Sequence, residues 1–210
     1  MRKKDNLQLY KKYYLDINNE NIGQFNILAD KFNVKSALYP GSFVHIAPSF
    51  VFPEVTYIDT DKRAKAFFSY PQVGEYIRKR KLYSTDFTVD FIPEDYRKSD
   101  LNITVQFDAL ISQYAGFISK YCTRYLKVHG FLIVNNSHGD AGMASIDKRY
   151  SLVGVFNRRG QKYAHSDKDL DSYFIPKKSI EITEEYLESL GRGIGYTKSP
   201  TSYLFRKTSD

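Results

Sequence analysis

Short apolar runs alternating with helix-patterned stretches constrain this chain more than any other feature. Residues 36–39 (SALY), 55–58 (VTYI), 107–112 (FDALIS) and 131–134 (FLIV) are too short for buried helices and read as strands, with 87–92 a further candidate. Between them, residues 61–70 and 73–83 read as helices parted by Pro71, which ends the first. Residues 117–128 read as a third, with Phe117, Tyr121, Arg124, Tyr125 and Val128 along one side and Gly130 as its stop. Such alternation predicts a mostly parallel sheet with helices on both faces.

Two helices are expected ahead of this core, over residues 6–15 and 22–32. The second carries Ile22, Phe25, Leu28, Ala29 and Phe32 on one stripe, with Asn21 as its N-cap. Beyond Asn135 the rhythm changes. Residues 150–156 and 161–164 read as a hairpin about the turn 157–160, and 173–175 as a further strand. Residues 184–190 read as a helix and 202–206 as the last strand. The expected organisation is one domain of 210 residues, with N-terminal helices (1–35), an α/β core (36–137) and antiparallel additions (138–210).

Composition narrows the function classes. Cys122 is the single cysteine, so an internal disulfide is excluded and a thiolate metal site disfavoured. His45, His129, His138 and His165 lack metal-ligand spacing, and no metal is expected. No apolar run approaches the roughly 20 residues of a membrane span, and the basic start MRKKDNLQLYKKYY has no apolar signal core. A soluble cytoplasmic protein is therefore expected. The net charge of +7 is spread evenly, with 16 basic and 13 acidic groups in residues 1–105 and 15 and 11 in residues 106–210. An even basic surface favours an anionic small partner slightly and a nucleic acid weakly. The densest run, Arg78-Lys79-Arg80-Lys81, suits the C-terminal end of a helix.

In an open α/β sheet, ligands sit beyond the C-terminal ends of the strands. The first strand ends in Tyr39-Pro40-Gly41-Ser42, where Gly41 allows a positive φ or a close ligand and Ser42 binds an oxygen or caps. The second ends in Asp59-Thr60-Asp61, with Asp59 eighteen residues after Gly41. That spacing suits a carboxylate accepting hydrogen bonds from the ribose hydroxyls of an adenosine-type ligand. The third strand leads to Glu94-Asp95-Tyr96 and the fourth to Ser112-Gln113-Tyr114. Each has a purely structural alternative: Asp61 as a helix N-cap, Asp95 as a turn cap, Gly41 as a turn residue.

On these residues the chain resembles the class I S-adenosylmethionine-dependent methyltransferases. LYPGS matches the glycine loop under the cofactor and YIDTD the ribose acid, Asp59. VDFIPEDY matches the acid that meets the adenine amino group, Asp95, and FDALISQYAG the fourth strand, opening at Asp108. HGFLIVNNS resembles the fifth strand and YLFRK the closing antiparallel one, so the likeness runs over about residues 22–207, with an atypical stretch between Gly139 and Lys198. The YPGS unit also resembles a bacterial branch of the fold in which it stands in place of the glycine-rich loop. The resemblance implies a Rossmann-like methyltransferase fold, with S-adenosylmethionine held by Tyr39, Pro40, Gly41, Ser42, Asp59, Thr60, Asp95, Tyr96 and Ser112. Where the family reads G-x-G-x-G, this chain has one glycine followed by Phe43-Val44-His45. It also lacks the N/D-P-P-Y run that marks methylation of a base amino group. Gly191, Gly193 and Gly195 follow a helix, not a strand, and read as a helix stop and turn.

The most chemically loaded run is Asn135-Asn136-Ser137-His138-Gly139-Asp140, directly after an apolar strand. There His138 is a candidate base, Asn135 and Asn136 would hold an acceptor, Asp140 would orient His138, and Tyr114 would meet the acceptor from the neighbouring strand end. The same residues equally compose a tight turn. Three readings follow: a methyltransferase of unknown acceptor, a binding or regulatory protein that kept the fold and lost the cofactor, and a nucleic-acid-binding module.

Overall fold

In the computed structural model, which describes residues 7–210, the chain divides after Lys98 into two units. The first opens with a short helix, α1 (Gln8–Tyr10), that widens into a π-turn over Lys11–Leu15. The expected helix 6–15 thus begins one residue outside the described residues. Next comes α2 (Ile22–Phe32), as its stripe predicts, with Phe25 and Leu28 fully buried. Each of these two contributes roughly 2 kcal/mol through burial. Asn21 occupies the N-cap position as expected, but with a φ of 57° and no side-chain capping bond; its own carbonyl accepts from Gln24 N–H as the chain turns into the helix.

Three parallel strands follow in the order β3-β2-β1: β1 (Ser36–Pro40), β2 (Glu54–Ile58) and β3 (Thr88–Ile92). Every residue of β1 is buried, which is what a continuous apolar run between covered faces should give. Pro40, Ile58 and Ile92 share one register level, so the residues after them leave the sheet side by side. The crossover from β1 to β2 holds only a 3-10 turn, Ala47–Phe50, with Pro48 in its first positions. Asp61 caps α3 (Lys62–Phe68) by accepting from Arg63 N–H at 2.7 Å, and α4 (Pro71–Arg80) begins on its proline. Arg78, Lys79 and Arg80 occupy the last turn of α4. Arg80 pairs with Glu20 at 2.5 Å and stacks 4.3 Å from the Phe50 ring, so part of the basic run serves the packing.

The second unit orders its strands β4-β5-β8-β6-β7. The strands are β4 (Phe107–Ser112), β5 (Leu126–Val134), β6 (Tyr150–Arg159), β7 (Lys162–Ser166) and β8 (Ser202–Lys207). The first pair is parallel and all later pairs are antiparallel, as the change of rhythm after Asn135 predicts. The helix expected over 117–128 is only α5 (Ile118–Cys122) with a 3-10 turn, Thr123–Tyr125. Lys207, itself 1% exposed, donates from Nζ to the Leu126 carbonyl at 2.9 Å, and Thr123 Oγ1 lies 2.6 Å from the Tyr150 hydroxyl. These long-range partners override a local helical pattern. Gly130 stops no helix; it sits in a bulge of β5, where a Cβ would lie 2.9 Å from the Asp108 carbonyl. The strand expected at 173–175 is a 3-10 turn, Leu170–Phe174, whose Phe174 ring packs against Tyr196 and Tyr203. Two more helices complete the unit: α6 (Asp140–Ile146), which the sequence pattern misses, and α7 (Glu184–Leu190), which it finds.

Candidate functional site

The aligned ends of β1, β2 and β3 open on a cleft of about 150 Å³ lined by Gly41, Asp59, Thr60, Glu94, Asp95, Tyr96 and Arg97. Five of the nine residues expected to hold a cofactor therefore meet in one place. Gly41 has φ 65° and closes the ladder through its N–H to the Ile58 carbonyl at 2.8 Å. Asp59 accepts from Phe43 N–H at 2.7 Å through Oδ2 and from Asp61 N–H at 2.8 Å through Oδ1. A carboxylate offers about four acceptor positions, so two remain. Among the described residues Asp59 has no cation partner, whereas Glu94 pairs with Lys98 and Asp95 with Arg97.

Asp95 is held by a local device. Arg97 donates its N–H to Asp95 Oδ1 at 2.9 Å and its Nη2 to Oδ2 at 2.6 Å. The same fork recurs at Asp61–Arg63 and at Asp147–Arg149, with matching distances. The Arg97 hydrogen bonds hold the Asp95 carboxyl below the usual carboxylate range. Asp95 thus shapes the cleft wall while its charge is met by Arg97. The repeated Asp-x-Arg spelling is the sequence signal that could have found Arg97.

The remaining residues of the first loop face inward. Pro40 and Ser42 are buried, and the Tyr39 hydroxyl lies 3.1 Å from His45 Nδ1. His45 is 1% exposed, stacks on Tyr14 at 4.3 Å, and places Nε2 2.9 Å from the Glu20 carbonyl. A carbonyl only accepts, so Nε2 carries the proton and Nδ1 accepts from Tyr39. Burial pushes the His45 pKa down to about 4, and the ring is neutral. Phe43, where the family has glycine, adopts a left-handed φ of 49°. Its ring is flanked by Tyr13 at 5.4 Å and the Arg63 guanidinium at 4.8 Å. A bulky residue there is strained, and surrounding contacts hold it.

In the second unit the ends of β4 and β5 carry the other candidates. Ser112 and Asp140 are buried together: Ser112 Oγ donates to Asp140 Oδ2 at 2.5 Å, and Ser119 donates through Oγ at 2.5 Å and N–H at 3.1 Å. Burial raises the Asp140 pKa to about 6 against these hydrogen bonds, which lower it. Asp140 therefore ties β4 to α5 and does not orient His138. His138 is exposed, with Nδ1 2.9 Å from Ser137 Oγ, and Asn135 Oδ1 accepts from that hydroxyl at 2.7 Å. Asn136 donates from Nδ2 to the Ile194 carbonyl at 2.8 Å. The glycines 191–195 pack on this loop. A Cβ on Gly193 would lie 1.8 Å from the Asn136 carbonyl oxygen, and one on Gly139 3.0 Å from that of Arg192. Gly191, with φ 60°, ends α7 as its position after a helix predicts. At the end of β4, Tyr114 stands 57% exposed with a left-handed φ of 61°.

Neither a protein-family model nor a curated protein matches the chain. Solved structures do. The O-methyltransferase TomG from Streptomyces achromogenes, in complex with SAM, matches with a TM-score of 0.51 over 78% of this chain and 88% of its own, at 9% identity. An O-methyltransferase from Bacillus cereus in complex with SAH matches with a TM-score of 0.50 over 79% and 90%, also at 9% identity. This chain has the class I methyltransferase fold. At such identity the likeness fixes the fold and leaves the chemistry to the residues. In this chain Gly41 and Asp59 directly follow the ends of β1 and β2 and line the cleft there.

Proposed function

We propose that the chain is an S-adenosylmethionine-dependent methyltransferase that holds its cofactor at the ends of β1–β3. The observation that carries this reading is Asp59, the cleft acid without a cation partner among the described residues and with acceptor capacity to spare. Those free positions suit the two ribose hydroxyls, the Gly41 backbone allows close approach, and Tyr96 offers a ring to stack on adenine. The cofactor, when bound, supplies an electrophilic methyl group. The chain's own task is then to align an acceptor and take its proton, which needs positioning more than a strong base. In the second unit the Tyr114 ring and the His138 imidazole are exposed and the Asn135 amide accepts from Ser137, whereas Asp140 and Ser112 hold the loops in place.

Isothermal titration with S-adenosylmethionine and S-adenosylhomocysteine tests the reading. Micromolar binding that weakens at least tenfold in Asp59→Ala supports it, and silence at millimolar cofactor sinks it. A second reading, a protein that kept the fold without the cofactor, draws on Phe43, whose N–H occupies one Asp59 oxygen and whose bulk stands in the glycine loop. That reading expects no binding by the natural chain and its appearance in Phe43→Gly.

A further inference from the structure

The segment between β7 and β8, where the chain departs most from the family pattern, encloses a cavity of about 360 Å³. Its floor is apolar. Ile180, Leu190 and Ile194 line it, and they pack on a cluster of Met143, Leu187 and Tyr196. Lys177, Lys178 and Arg192 complete the wall, and the lining contains no acidic residue. Among the described residues none of these three cations has a carboxylate partner. Of the three acids of the adjoining α7, Glu184 and Glu188 both pair with Lys120 at 2.6 Å, and Glu185 is held at the helix start by its own N–H and the Thr183 side chain. The cavity thus combines an apolar floor with three uncompensated positive charges. Clustered cations around a concave, low-dielectric surface raise the local concentration of anions. The volume falls at the small end of the roughly 300–1,000 Å³ seen for ligand pockets.

We propose that this cavity is a binding site for a small amphipathic anion. A single ring or branched aliphatic body fits the floor of Ile180, Leu190 and Ile194, and a carboxylate or phosphate head meets Lys177, Lys178 and Arg192. The site is separate from the cofactor cleft and does not depend on it. Its wall also has a second role, because the Arg192-Gly193 backbone is the strip that closes on Asn136 and Gly139.

Titration of the full chain with phenyl phosphate, followed by two-dimensional amide NMR and without cofactor, tests the site. Inorganic phosphate and phenol serve as comparators. Saturable shifts are expected at the amides of Lys178, Gly193 and Gly195, with a Kd at least tenfold below that of either comparator. The double variant Lys178→Ala, Arg192→Ala should weaken binding at least tenfold and leave the spectrum elsewhere unchanged, since both side chains are exposed. The proposal is overturned if those amides do not move, if phenol or phosphate alone binds as well, or if the double variant keeps its affinity.

Discussion

His45 in the first unit and Asp140 in the second are both buried near strand ends, and the two are handled in opposite ways. In the first unit His45 is kept neutral between Tyr39 and the Glu20 carbonyl, with its pKa lowered to about 4. In the second, Asp140 collects hydrogen bonds from Ser112 and Ser119, yet burial still raises its pKa to about 6. The difference teaches that a buried polar group is tolerated by two routes. One keeps the neutral tautomer and satisfies both ring nitrogens. The other surrounds a carboxylate with donors that recover only part of its lost hydration.

The largest effect expected from this contrast is a pair of opposed pH slopes. His45 sits below its ordinary 6.5, so its stabilisation is complete above that pH and is lost as pH falls toward about 4. Asp140 sits above its ordinary 3.8, so stability is lost as pH rises from there through about 6. Each shift is on the order of 3 kcal/mol, and in the natural chain the two largely offset. Urea unfolding between pH 4 and 7 should therefore show a stability that rises with pH in Asp140→Asn and falls with pH in His45→Asn. Parallel slopes in both variants would break the comparison.

A smaller effect is expected where the second unit closes on its own loop. Gly193→Ala places a Cβ against the Asn136 carbonyl and should cost about 2 kcal/mol, as overpacking does. Gly74→Ala in α4 of the first unit meets nothing within 4 Å and should instead stabilise by about 0.5–1 kcal/mol. Thermal unfolding of the two variants separates them by sign. Smallest is the cap at α3: Asp61→Ala should lower stability by about 1 kcal/mol, while Asp61→Asn, which retains an acceptor, should lose only a few tenths. Equal losses in both would mean that the Arg63 fork, not the cap, is what matters there.

Much of the fold was legible because its elements announce themselves locally. The helix 22–32, the strand 107–112 and the helix 184–190 match their patterns residue for residue. Of the candidate site, the gathering of Gly41, Asp59, Thr60, Asp95 and Tyr96 was also legible, since strand ends in register must leave the sheet together. What the pattern misread were stretches decided at long range. Residues 126–128 look helical and are strand, because Lys207 takes the Leu126 carbonyl and β4 pairs with Leu126. Asp140 looked like a partner for the neighbouring His138 and instead binds Ser119, twenty-one residues away in sequence.

By itself the sequence determined the alternation of strands and helices, the antiparallel finish and the acids at the strand ends, since these follow from period, chain stiffness and spacing. Tertiary structure decided which of those acids is left without a cation among the described residues, that His45 is a packing residue, and that glycines 191–195 brace a loop. Those outcomes depend on which polar groups meet once water is excluded, and residues far apart in the chain supply the partners.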